Sequence, residues 1–193
     1  MKKHLLLKSA LALALATPLL ASAESQLTIG PGSAAARLDF RVIIPRVLFL
    51  AVGTGAAGLA DNTNVDTVTF DYTTNPAAVG TTAAAGAITG NVVPVRVLGN
   101  NGVIALASTN TGALANAAGD TIPWSEITAV SSDTPNFASP APSGASVNLG
   151  LSSGTRITSR TADWTFSYAN TAVVAPGTYG TTNGRVTYTA TMP

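Results

Sequence analysis

From Arg37 onward the chain returns repeatedly to one pattern, apolar and polar residues in alternation. Leu38, Phe40, Val42 and Ile44 alternate with Arg37, Asp39, Arg41 and Ile43, a period of two that sends one set to each face of a strand. Pro45 interrupts it, because proline gives no N–H to a ladder and marks an edge, a bulge or a strand that switches sheets. Val47, Phe49 and Ala51 then resume the alternation in the opposite phase. The same period predicts strands over 65–73 (Val68, Phe70, Tyr72), 163–168 (Trp164, Phe166, Tyr168) and 185–192 (Val186, Tyr188, Ala190, Met192). Residues 92–98 and 103–107, joined by Gly99-Asn100-Asn101-Gly102, carry the clearest hairpin signal. Shorter strands are expected over 122–130 and 147–151. Residues 75–91 read as a mobile Ala/Gly/Thr-rich excursion, and 131–146 as a Ser/Pro-rich surface connection. Short strands punctuated by turn residues, with no helical period beyond residue 23, predict an all-β two-sheet sandwich.

The N-terminus follows another plan. A basic start (Lys2, Lys3, His4), an apolar run over 5–20 and the small-residue box Ala21-Ser22-Ala23 predict a secretory signal peptide over 1–23, cut before Glu24. The run is too short for a stable membrane span. The chain is therefore expected to be exported, with no membrane span in its mature form. Residues 24–36, with Leu27, Ile29 and Gly30-Pro31-Gly32, read as a flexible leader, and 37–193 as a single β-sandwich domain.

Removing 1–23 changes the available chemistry. The mature 170 residues hold seven arginines against nine acids and contain no Lys, His or Cys. Nucleophilic triads lack their imidazole and Schiff-base chemistry its amine. Zinc and copper lose their usual ligands, and disulfides cannot form. Seven scattered arginines in a net acidic chain make no nucleic-acid patch. An enzyme is not expected, nor is a cofactor or a metal.

Carboxylate and calcium chemistry remain. Asp61, Asn62, Thr63, Asn64, Val65 and Asp66 could offer oxygen ligands, but the run lacks the EF-hand's fifth-position ligand and its bidentate Glu. Glu126, Asp133 and Asp163 read as solvated loop and strand-edge acids. Trp124 and Trp164 could form a sugar-stacking platform, although a tryptophan in a strand more often belongs to a core. Arg156 and Arg160 are expected to pair with acids on a sheet face.

The C-terminal third carries a resemblance. Pro176-Gly177-Thr178-Tyr179, a short loop, then Val186-Thr187-Tyr188-Thr189-Ala190-Thr191 resembles the ending of chaperone–usher-type fimbrial subunits of the spore-coat-U-like, immunoglobulin-like pilin group. Gly180 stands fourteenth from the end, as a glycine commonly does there; Met192 replaces the usual penultimate Tyr, and the disulfide that many such pilins carry is absent. The resemblance implies an immunoglobulin-like sandwich that lacks its final strand. A periplasmic chaperone would fill the open groove first, and a donor strand from the next subunit would then replace it, on an outer-membrane usher. β-Strand addition of this kind takes affinity from main-chain hydrogen bonds and register from alternating side chains. The implied function is structural, a subunit of an extracellular fimbria or filament serving adhesion or biofilm formation. Leu38, Phe40, Val42 and Ile44 are the candidate donor residues, and Val186, Tyr188, Ala190 and Met192 line the receiving groove. The competing reading of residues 37–44, and the one the residues favour slightly, is the first strand of a complete sandwich. A self-contained secreted sandwich that binds carbohydrate or protein at its loops is the alternative function.

Overall fold

The computed structural model describes residues 24–55 and 58–193 and divides the chain into two units, Met1–Ile44 and Pro45–Pro193. The signal-peptide reading of 1–23 lies outside the described residues. In the first unit, residues 24–44 contain neither strand nor helix. A bend at Gly30-Pro31-Gly32, with Gly30 at φ +98°, turns the chain back on itself. The Ala35 N–H donates to Gln26 Oε1 (3.0 Å), and Arg37 pairs with Glu24 at 3.7 Å. Residues 37–44, expected as a strand, form no strand and pair with none among the described residues, and Leu38, Phe40, Val42, Ile43 and Ile44 are all exposed.

The second unit is an all-β sandwich. One sheet has the order β1 (Leu48–Val52), β4 (Val92–Gly99), β10 (Thr158–Tyr168), β8 (Ile127–Ser131). The other has the order β11 (Val186–Thr191), β5 (Ala105–Asn110), β9 (Ser146–Asn148). Every pairing is antiparallel. Two small ribbons flank them, β2 (Thr69–Asp71) with β3 (Ala87–Thr89) and β6 (Leu114–Ala115) with β7 (Thr121–Ile122).

The inner faces share one core. Val93, Val95 and Val97 of β4 and Ala162, Trp164 and Phe166 of β10 pack with Ile104, Leu106, Phe137 and Leu149. Burying each large apolar side chain contributes about 1.5–3 kcal/mol. Trp164, with none of its surface exposed, meets Phe137 edge-on at 5.7 Å and Tyr188 of β11 at 5.0 Å, so it joins the two sheets. In β1 the inward residues are Leu50 and Val52, which the register places beside Val97 and Val95; Phe49 faces outward.

Three sequence expectations change. The 92–107 segment is not a hairpin: β4 pairs with β1 and β10, and β5 with β11 and β9. Val93, Val95 and Val97 line one wall of the core and Ile104 and Leu106 the other, so the chain must cross between sheets at Gly99-Asn100-Asn101-Gly102. Asn100 fixes the crossing by accepting from the Val47 N–H (2.9 Å) and donating to the Pro45 carbonyl (2.8 Å). The 131–146 connection is not superficial, since Phe137, Pro140 and Pro142 are fully buried. It is held by Ser131 Oγ donating to the Phe137 carbonyl (2.6 Å) and Ser108 Oγ to the Ala141 carbonyl (2.6 Å). The 75–91 excursion is likewise ordered, with a 3-10 turn at Pro76–Ala78 and strand β3. Buried Asn170, at φ +51°, anchors it, accepting from the Gly80 N–H (2.7 Å) and donating to the Ala78 (2.6 Å) and Ala83 (3.0 Å) carbonyls.

Candidate functional site

β11 closes the second sheet with one side only. Its residues 186–191 pair with β5 from Val186↔Asn110 to Thr191↔Ala105, and among the described residues no strand pairs with its other edge. Val186, Tyr188, Ala190 and Met192 alternate with exposed Thr187, Thr189 and Thr191, as the period-two pattern requires. All four are half-buried rather than buried, and Tyr188, Ala190 and Met192 pack against the core from its rim. β1, the outer strand of the first sheet, also lies close to β11. Gly99 lets the two walls approach: a Cβ there would lie 2.7 Å from Ile104 Cδ1 and 3.1 Å from Met192 Sδ.

The rim also holds unspent polarity. Among the described residues, Trp164 Nε1 and the Tyr188 hydroxyl are buried without a hydrogen-bond partner. Burial pushes the Tyr188 hydroxyl up to about 12, and Ser139 beside it pulls the other way. Ser139 Oγ spends its own proton on the Pro140 carbonyl (3.1 Å). An unsatisfied buried donor costs about 1–3 kcal/mol, so this corner is less well settled than the rest of the core.

The other sequence candidates scatter. Asp66 is engaged at the end of β1, accepting from the Thr54 N–H (2.7 Å) and hydroxyl (2.9 Å), and Asn62 Oδ1 caps the Asn64 N–H (2.9 Å). Among the described residues no three acidic, histidine or cysteine side chains gather as a metal site would need. Glu126 accepts from the Thr171 hydroxyl and N–H, which hold its carboxyl below the usual range. Asp133 pairs with Arg160 at 3.5 Å, and Arg160 also donates to the Gly150 (2.9 Å) and Leu151 (2.7 Å) carbonyls. Arg156 donates to Asn101 Oδ1 (3.1 Å) instead of to an acid. The two tryptophans form no platform. Trp164 is in the core, and half-buried Trp124 donates its indole N–H to the Gly112 carbonyl (2.7 Å).

The donor candidates Leu38, Phe40, Val42 and Ile44 belong to the first unit and the receiving residues to the second. Sequence reasoning does not single out Arg96, which the β4 register places on the outer face between Ala51 and Thr161. Its only sequence signal is its alternation with the buried valines. No protein-family model, no curated protein and no solved structure matches this chain.

Proposed function

We propose that the protein is the structural subunit of an extracellular filament, in which residues 37–44 of one copy add as a strand to the free edge of β11 in the next. The reading includes export, assembly with a periplasmic chaperone and an outer-membrane usher, and a role in adhesion or biofilm formation. The observation that carries it is the pairing of opposites in one chain: a half-buried apolar strand edge with no paired strand among the described residues, and an exposed segment of alternating apolar residues.

The strand order supports it. The constant-type immunoglobulin sandwich sets strands A, B, E and D in one sheet and C, F and G in the other. On this reading β1, β4, β10 and β8 correspond to A, B, E and D and β5 and β11 to C and F, with β9 an additional strand on the other side of β5. The missing neighbour is G, on the free side of β11. An added strand there would give β11 its second ladder and cover Val186, Tyr188, Ala190 and Met192. Soluble monomers seldom expose a contiguous apolar run such as Leu38, Phe40, Val42, Ile43 and Ile44, and an unpaired edge is a template for another chain.

Charge favours the same contact. Residues 37–46 carry three arginines and one aspartate, whereas 47–193 carry four arginines and seven acids. Opposite fields speed encounter and fix orientation more than they add affinity. Donor and edge are different surfaces, so the contact is heterologous and builds an open fibre. With no lysine after residue 8, an isopeptide-linked fibre is closed to the mature chain, and assembly is non-covalent.

The test is negative-stain electron microscopy of protein recovered from the cell surface, wild type beside Phe40→Asp. Phe40 is 86% exposed and lies outside the 45–193 unit. The variant should therefore lose filaments while its unfolding free energy stays within about 0.5 kcal/mol of wild type, the usual range for a surface change. Filaments that persist in Phe40→Asp overturn the donor assignment; a wild type that stays monomeric at every concentration overturns the polymer.

A further inference from the structure

A second surface lies on the outer face of the four-stranded sheet and is independent of the strand edge. Outward residues of β1, β4 and β10, with chain after β1 (Gly53 to Gly55 and Gly58) along one border, flank an open groove of about 530 Å³; its side chains include Phe49, Ala51, Arg96, Thr161, Asp163 and Ser132. The volume falls within the range of small-ligand sites, about 300–1,000 Å³. Arg96, on the middle strand of the three, is half-buried, with its guanidinium 5.9 Å from the Phe49 ring centroid. The ring fixes the cation by attraction to its π-face. The ion pairs of the described residues are Arg37–Glu24 and Arg160–Asp133, so the Arg96 fork has no carboxylate partner among them. It also donates no hydrogen bond there, unlike Arg160, whose donors are spent on backbone carbonyls.

The neighbours are polar and fixed. Thr161 is directly opposite Arg96 in the β4–β10 register, and Asp163 follows on the same face, opposite Pro94. Ser132 is locked to β10, its N–H donating to the Asp163 carbonyl (2.9 Å) and its Oγ accepting from the Asp163 N–H (2.9 Å). The Ser132 hydroxyl proton remains available.

We propose that this groove binds a sugar acid, a saccharide unit bearing a carboxylate. An Arg fork takes a carboxylate through two parallel hydrogen bonds. The Thr161 and Ser132 hydroxyls and the Asp163 carboxylate take ring hydroxyls, for which Asp163 acts as acceptor. Phe49 and Ala51 give the apolar floor. An extended peptide fits less well, because the main-chain groups beneath the groove are consumed by the β1–β4 and β4–β10 ladders and offer no strand addition. A simple anion uses only Arg96 and meets Asp163 as a like charge.

Isothermal titration calorimetry of the purified protein with glucuronate, and separately with glucose and acetate, tests the assignment. Glucuronate should bind saturably, and glucose and acetate at least about tenfold more weakly, the ratio corresponding to one well-made charged contact. Arg96→Gln should weaken glucuronate by about tenfold or more. Thr161→Val, which keeps shape and strand propensity, should weaken it by a smaller factor and serves if Arg96→Gln does not fold. No saturable glucuronate binding, acetate binding as tight as glucuronate, or affinity unmoved by both substitutions overturns the site. The readout does not require filaments, so its failure and the failure of the assembly proposal are distinguishable.

Discussion

Asn170 shows how much one polar side chain holds. Its amide bridges three backbone groups of the 78–83 turn from a buried position at positive φ. Asparagine tolerates that backbone region better than most side chains. Asn170→Ala should lower stability by about 2–3 kcal/mol in urea unfolding, the cost of leaving buried groups unpaired. A loss below about 0.5 kcal/mol would mean that the turn is not anchored there. Tyr188 gives the opposite lesson, a hydroxyl buried without a partner. Its folded pKa is raised by burial from 10.0 to about 12. The folded state then keeps a proton that the unfolded chain has released, so stability is full below about pH 10 and falls as pH rises toward 12. Tyr72, Tyr168 and Tyr179 are also raised, chiefly by burial, and push the same way. Allowing for its partial exposure, Tyr188 should account for about 1–2 kcal/mol of this loss. Unfolding midpoints at pH 8 and pH 11 check it: Tyr188→Phe should flatten the difference without destabilising the protein at pH 8.

At the scale of elements, an edge strand is defined by what is absent beside it. β11 and β1 are both edges, yet only β11 ends a three-stranded sheet whose inner face is half-covered at the rim. The segment 37–44 has the complementary character, exposed with no ladder of its own. Trypsin reads its state directly: Arg37 and Arg41 stand in exposed chain within the segment, whereas Arg46, Arg156 and Arg185, also exposed outside strands, lie elsewhere and serve as internal references. Isolated protein should be cut readily after Arg37 and Arg41, and mass spectrometry should find fragments that start at Leu38 and Val42. Filaments should protect both bonds by at least about tenfold in rate, since cleavage of a paired strand follows the population of its open form. Equal cutting in both states would place the segment outside the fibre contact.

At the scale of the molecule, the sandwich owes its closure to segments between the strands as much as to the strands. Phe137 fills the space beside Trp164 from the 131–146 connection, and the crossing at 99–102 carries the chain from one sheet to the other. This arrangement leaves the two surfaces of interest apart: an edge suited to a strand and a sheet face suited to a small acid. A filament that displays one groove per subunit would bind a polymeric sugar acid multivalently, and each weak site would be strengthened by its neighbours.

The sequence by itself determined the strand-rich class and most of the strands. β4, β10 and β11 were legible because alternation is a local property of the pleat, set by which side chains must leave water. It also determined the chemistry withheld from residues 24–193, which contain no Lys, His or Cys. Only tertiary structure decided which strands are neighbours. The 99–102 turn has hairpin residues, but β4 and β5 each bring a buried face to the same core and so must face one another across it. Likewise Phe137 lies in a Ser/Pro-rich stretch with no period to betray it, and its burial follows from the gap beside Trp164. The free edge of β11 and the Arg96 groove are products of strand order. No local pattern carries that information, because order is fixed by how two sheets share one core.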